Sequence, residues 1–359
     1  MEALRNIWYV AAWPSEIGTT PLRRTLLEEQ IVFFRQTDGR PVALGNICPH
    51  RFAPLHRGKI VEDTIECPYH GLRFNGQGQC VFNPDLNGAV PPTARVRSYP
   101  LVERGGLCWI WMGDPTLADE GLIVDFPFFQ SGSGYRPVTG YLHVRANYRY
   151  MIDNLVDVSH VLIVHHDMLA CPGLATGKQS IERDGNGIWV KRFAEQTTPP
   201  KIFDMMWRRS RGDYDAPMDH WAESKWNPPT LISQNTGVQL SGLPRDGGLE
   251  TKNFHLVTPE SETSSHYFWA ICRNFETDND ALDVDVRAGT EYAFVEQDEK
   301  LLEALQENMN GREFWSMKPA LLAGDAGAVQ VRRETDRLLA AEKAAGAQVP
   351  ANPSSSAVA

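Results

Sequence analysis

Cys48-Pro49-His50-Arg51 and Cys67-Pro68-Tyr69-His70-Gly71-Leu72 decide how the rest of the chain is read. Two thiols and two imidazoles alternate in the order Cys, His, Cys, His, and the linker between the pairs holds Arg51, Pro54, Leu55 and Gly58. Each pair is punctuated as a loop is. A zinc finger runs Cys, Cys and then His, His, with a helix carrying the second pair, and this order does not match it. Interleaving suits a two-iron, two-sulfur cluster in which one iron takes both thiolates and the other both imidazoles, because each short loop then supplies one ligand of each kind. Neutral imidazoles in place of anionic thiolates raise the reduction potential, which makes such a site a one-electron relay. A zinc ion on the same four side chains is the competing reading. Gly71, Gly76 and Gly78 offer turn positions where backbone N–H groups approach sulfur.

Outward from these loops, residues 1–117 run in short β-favouring pieces such as Ile31-Val32-Phe33-Phe34 and Leu107-Cys108-Trp109-Ile110-Trp111, which predicts a small all-β domain. The turn cluster Met112-Gly113-Asp114-Pro115-Thr116 marks a boundary near 117. Residues 118–343 then mix strand candidates with helical periodicity and read as a second, α+β domain. One helix is expected over roughly Arg149 to His160 and another from about Asp283 to Asn308. The segment 344–359 is small and polar in character and reads as a disordered tail.

Composition narrows the function. The 359 residues carry 35 Lys+Arg against 45 Asp+Glu, a formal net charge of −10. That balance repels a phosphate backbone, and only Arg208-Arg209-Ser210-Arg211 interrupts it, so no nucleic-acid partner is expected. No apolar run approaches the roughly 18 to 20 residues that span a bilayer, and the first residues resemble no export signal; a cytoplasmic protein without a membrane partner is expected. Six cysteines are too sparse for a disulfide framework. Cys80, Cys108, Cys171 and Cys272 have no Cys or His at ligand spacing and are expected to be packing residues.

A second constellation lies in Asp153-Asn154-Leu155-Val156-Asp157-Val158-Ser159-His160-Val161-Leu162-Ile163-Val164-His165. An ideal helix spreads Asn154, Asp157, His160 and His165 over an arc of roughly 140°. That is wide for one metal, so the helix is expected to bulge or end near His160. His166 competes with His165, and helical geometry alone does not separate them. Two imidazoles leave an iron short of a carboxylate. Val295, Asp298, Leu302 and Leu305 recur at helical spacing, which sets Asp298 on an apolar stripe while Glu296 and Glu299 point elsewhere. A carboxylate on a buried stripe needs a cation, which makes Asp298 the candidate third ligand, with a structural ion pair as the alternative. Asn154 is read as a weak ligand or as a cap. Asp157 is read as an acceptor for an imidazole N–H or as a solvated acid.

Taken together, Cys48-x-His50, Cys67-x₂-His70, Asn154-x₂-Asp157-x₂-His160-x₄-His165 and Asp298 resemble the Rieske non-haem iron oxygenases. Asn6-Ile7-Trp8-Tyr9-Val10-Ala11, the stretch from Cys48 to Leu55, Tyr150 to Asp157 and Thr258-Pro259-Glu260 are similar to the vanillate O-demethylase and dicamba monooxygenase oxygenase components. The resemblance covers about residues 5 to 340 and favours His165 over His166. It implies an N-terminal Rieske domain and a C-terminal helix-grip catalytic domain of antiparallel sheet and helices. Implied too are a [2Fe–2S] cluster on Cys48, His50, Cys67 and His70, and a mononuclear Fe(II) on His160, His165 and Asp298. A flavin/iron–sulfur reductase, with or without a ferredoxin, is the implied electron donor, and a homotrimer the implied assembly, with Asp157 linking metal centres of neighbouring subunits.

The expected reaction uses O₂ to insert oxygen into a C–H bond of a methoxy group on a small aromatic acid; the hemiacetal collapses to a phenol and formaldehyde. Hydroxylation of another ring, methyl or N-methyl carbon is the enzymatic alternative. A bare iron–sulfur electron carrier is the non-enzymatic one, and it leaves His160, His165 and Asp298 without use. His255, Asn235 and Gln239 are the expected substrate contacts.

Overall fold

A computed structural model describes residues 1–85 and 87–348. The N-terminal part is built from three small sheets. Trp8–Ala12, Leu107–Trp111 and Leu101–Arg104 form one; Leu22–Leu26, Glu29–Arg35, Pro41–Gly45 and Ser98–Tyr99 form the second. The third, from Lys59–Val61, Thr64–Glu66, Arg73–Phe74 and Cys80–Phe82, carries the second cysteine loop. Short 3₁₀ turns follow from Pro115 to Phe129, so the expected boundary near 117 falls inside a linker whose Ile123 and Phe126 pack on both parts.

The second part is a seven-stranded antiparallel sheet. In spatial order it runs Arg136–Val144, Ser264–Arg273, Leu249–Ser261, Leu231–Leu240, Met218–Asn227, Gly187–Thr197 and Lys178–Asp184. Alternation along each strand gives the sheet two different faces. On one, Leu231, Phe254, Leu256, Phe268 and Ala270 pack against Trp8, Val10, Trp109 and Trp111 of the N-terminal part. On the other, Val138, Val190, Trp226, Ile232 and Trp269 pack against Met151, Ile152 and Leu155 of the helix Tyr148–Val156. The sheet therefore stands between the cysteine-bearing part and the helices.

Three helical features depart from the sequence expectation. The helix expected to reach His160 stops at Val156, because Asp157 adopts extended backbone (φ −92°, ψ 108°); a 3₁₀ turn Val158–His160 and a short helical turn Val161–Val164 follow. The later helix runs continuously from Asp280 to Met309, and its middle, Tyr292–Glu299, is a π-helix. Of the two distortions expected near His160, a bulge or an end, the chain shows the end, and a π-turn lies separately around Asp298. The last helix, Ala326–Gln348, includes residues 344–348, which were expected to open the tail; the remainder of that segment lies outside the described residues.

This last helix closes the molecule. Arg332 pairs with Asp153, Arg149 with Asp336, and Glu342 accepts the backbone N–H groups of Arg5 and Asn6 at 2.9 and 2.7 Å. The basic run is a helix end, where Arg208 pairs with Asp204 and Asp213, and Arg209 with Glu276. No helix among the described residues is long and apolar enough to cross a membrane.

Candidate functional site

The two cysteine loops share one backbone pattern. Cys48 N–H donates to Ala53 O and Phe52 N–H to Cys48 O; Cys67 N–H donates to Leu72 O and Gly71 N–H to Cys67 O. The residue four beyond each cysteine has positive φ, +59° at Phe52 and +70° at Gly71. Glycine adopts that conformation freely and phenylalanine does not, so the first loop is the strained one. Gly78, at φ +74°, is a turn position too, and a Cβ there would lie 2.1 Å from Val96 O.

Both thiols are buried on Val32, Phe34, Leu44, Ile65 and Phe74, while His50 and His70 are exposed at the tips with ring centroids 4.4 Å apart. Burial, with the Cys67 thiol adjacent, pushes the Cys48 thiol up to about 11. Two abutting buried thiols with two imidazoles above them form a donor set that fits an S₂/N₂ diiron cluster. Phe52 is 76% and Tyr69 65% exposed beside the imidazoles.

On the helix-covered face, His160, His165 and Asp298 converge, with candidate ligand atoms all within 4.8 Å of one another. His165 Nε2 is 3.2 Å from Asp298 Oδ2, and His160 Nε2 3.6 Å from Asp298 Oδ1. Two ligands at right angles, each about 2.1 Å from a metal ion, stand roughly 3 Å apart, so the trio fits one ion. Asp298 is 4% exposed, which a lone carboxylate does not tolerate without a cation.

Each ring is oriented through its other nitrogen. His160 Nδ1–H donates to Asp157 O at 2.6 Å, and His165 Nδ1–H to Gln297 Oε1 at 2.8 Å. Both Nε2 atoms are thereby left with lone pairs facing the carboxylate. Burial holds His160 below its ordinary pKa; at His165 burial is again the largest single influence and acts the same way, but the neighbouring Asp298 carboxylate and Gln297 together outweigh it and the imidazole sits above its usual value.

The structure brings His165 rather than His166 to Asp298; His166 is exposed beside Asp167. Asn154 Nδ2 donates to Asp298 Oδ1 at 3.2 Å, so it steadies the carboxylate. Asp157 holds His160 through its carbonyl, while its carboxylate accepts from Ser159 N–H and Oγ–H at 2.8 and 2.6 Å. Gln297 escaped the sequence reading. Its only signal was adjacency to Asp298, and the wide π-turn lets both reach His165.

The expected substrate contacts separate by strand alternation. His255 is buried on the sheet face that the trio covers, with Nδ1 2.7 Å from Tyr267 OH and Nε2 2.9 Å from Gln234 Oε1; burial lowers it to about 3. Asn235 and Gln239, contrary to expectation, fall on the opposite face, turned away from the trio. Asn235 accepts from Trp221 Nε1, and Gln239 is spent on Pro244 O and Leu240 N–H. The neighbour Gln234 holds the inward position, donating to Leu155 O at 2.9 Å.

A model of the Vanillate O-demethylase oxygenase C-terminal domain matches residues 144–341, and one of the Rieske [2Fe-2S] domain matches residues 7–100. The chain is 40% identical over 340 residues to the chloroacetanilide N-alkylformylase oxygenase component of Rhizorhabdus wittichii, covering 94% of this chain and 96% of that protein. It is 38% identical over 338 residues to the dicamba O-demethylase oxygenase component of Stenotrophomonas maltophilia, covering 94% and 98%. The crystal structure of dicamba monooxygenase bound to 3,6-dichlorosalicylic acid matches with a TM-score of 0.89 at 39% identity, over 95% of this chain and 98% of that one. Cysteine loops, converging His-His-Asp trio and relatives agree: the chain belongs to the Rieske non-haem iron oxygenases, as the oxygenase component of a monooxygenase.

Proposed function

We propose that this oxygenase O-demethylates a methoxylated aromatic acid and releases formaldehyde, using O₂ and electrons from a flavin/iron–sulfur reductase, with or without a ferredoxin. The observation that carries the reading is the convergence of His160, His165 and Asp298 with both Nδ1 atoms already engaged. In this reading Cys48, His50, Cys67 and His70 hold the [2Fe–2S] cluster, and the trio holds Fe(II). A ferrous ion bound there supplies redox chemistry toward dioxygen and keeps positions free of protein ligands.

The chain's own residues do the rest. Asp157 O and Gln297 fix the imidazole tautomers, and Asn154 holds one carboxylate oxygen. Leu142, Met151, Leu155 and Phe294 wall the carboxylate with apolar surface and keep water from it. His255 stands behind the trio as a wall residue, tied to Tyr267 and Gln234.

The same reading includes a head-to-tail trimer in which a cluster serves its neighbour. Three features support it: the sheet separates the cysteine loops of one chain from its own trio, the imidazole tips are exposed beside Phe52 and Tyr69, and Ile163 beside the trio is 78% exposed. Asp157, positioned at the helix break, is the proposed link to His70 of the partner subunit.

A second reading, oxidative N-dealkylation of an anilide, is favoured by the 40% identity to a chloroacetanilide N-alkylformylase component. Oxygen uptake and formaldehyde release with a supplied reductase, compared across methoxybenzoates and chloroacetanilides, decide between them. Formaldehyde from a nitrogen-free methoxylated acid is expected; turnover of anilides alone overturns the first reading.

A further inference from the structure

Arg192 and His220 have no part in the ligand sets. They lie on adjacent strands, where Arg192 pairs with Ala222 and Ala194 with His220. The two are therefore diagonal neighbours on one face, roughly 7 to 8 Å apart along the backbone. That face also carries Ser224, whose hydroxyl donates to Leu155 O. Ala222, Cys171 and Leu174 pack with Val158, Val161 and Leu162, the residues flanking His160. Arg192 and His220 thus border the segment that presents the first imidazole.

Both carry a buried N–H with no acceptor. His220 is 2% exposed, and burial lowers it to about 4, so its ring is neutral. Its Nδ1 lies 3.6 Å from Cys171 Sγ. Burial keeps that thiol protonated, so the S–H points to Nδ1 and the ring hydrogen sits on Nε2, which has no partner. Cys171 is therefore the orienting group of a histidine 49 residues away, beyond its expected packing role. Arg192 donates to Leu174 O and, at 2.9 Å, to Gln179 Oε1. Its Nε–H is unmet, and among the described residues no carboxylate stands within ion-pair distance of it. His255 has no N–H to spare, since Tyr267 and Gln234 take both nitrogens.

We propose that Arg192 and His220 form the subsite for the anionic end of the substrate, an aromatic carboxylate or sulfonate, with the group to be oxidised turned toward His160, His165 and Asp298. Two N–H donors, one on a fixed cation, with no acceptor of their own fit an oxyanion. A neutral carbonyl would leave the guanidinium without a counter-charge. The inference rests on the reading of the substrate as an aromatic acid.

Calorimetric titration of the anaerobic, iron-loaded enzyme with vanillate and with methyl vanillate tests it without turnover. The native protein is expected to bind the acid about tenfold or more tighter than the ester. Arg192→Met and His220→Phe are each expected to weaken the acid by about tenfold to a hundredfold and to leave the ester nearly unchanged. Arg192→Lys and His220→Gln, which keep a cation and an N–H, recover most of the loss. Should Arg192→Met fail to fold, the two His220 variants decide. Equal binding of acid and ester, no binding of the acid, or an acid affinity that neither residue moves overturns the subsite. Arg192-dependent acid binding without formaldehyde release keeps the subsite and removes O-demethylation; formaldehyde release with unmoved affinities does the reverse.

Discussion

Between Cys48 and His70 the four proposed cluster ligands come from two neighbouring loops that repeat one hydrogen-bond pattern, with thiols buried and imidazoles in solvent. The trio at Asp298 gathers side chains from segments more than a hundred residues apart, and two of its three members are buried. The first site is local in sequence and open to a docking partner; the second exists only once the sheet and both helices have packed. Local construction makes the cluster loops independent of the trio's chemistry, and each can be broken without the other.

The sharpest break is reciprocal. Asp298→Ala is expected to abolish turnover and the mononuclear iron while the visible spectrum of the cluster stays intact, and Cys67→Ala to bleach that spectrum while the mononuclear iron remains. Iron analysis and absorption on the two variants check both; unchanged turnover would remove Asp298 from the site. Next in size, Gln297→Leu frees the His165 ring, and metal affinity or turnover is expected to fall by about tenfold to a hundredfold. The cluster spectrum is the internal control.

Acid separates the regions further. Burial holds His220 at about 4 and His255 at about 3, below the unfolded value near 6.5, so the unfolded chain takes up protons first. Their stability contribution is complete above pH 6.5 and is lost as pH falls toward the folded values. Between pH 6.5 and 5 each is expected to cost about 2 kcal/mol. Denaturant midpoints should fall over that window, and His220→Phe should flatten the slope. Smallest is Gly71→Ala, which forces a side chain to φ +70° against Pro84 and is expected to destabilise the second loop by about 1 kcal/mol, read as a lower melting temperature. Phe52→Gly should do the opposite in the first loop.

How much of this was legible follows the same division. The cysteine loops were readable because their cysteines, histidines, prolines and glycines are close in sequence. Asp298 was found by helical spacing, yet Leu305 on the same supposed stripe is 40% exposed, because the π-helix shifts the faces after Tyr292. Spacing has no way to register that insertion, and Gln297 was missed with it. Asn235 was chosen where Gln234 faces inward; a strand's two faces differ by one residue, and nothing local fixes which is which. The Cys171–His220 pair joins residues 49 apart through the sheet, beyond any motif's reach.

Glu342 has a further bearing on how the chain is made. The carboxylate that receives the Arg5 and Asn6 amides is synthesised 337 and 336 residues after them, so the lead-in to the strand Trp8–Ala12 waits for its anchor while everything between is made. Birth order and assembly order therefore run in opposite directions here: an early segment of a nascent oxygenase is fastened by a helix made long after it.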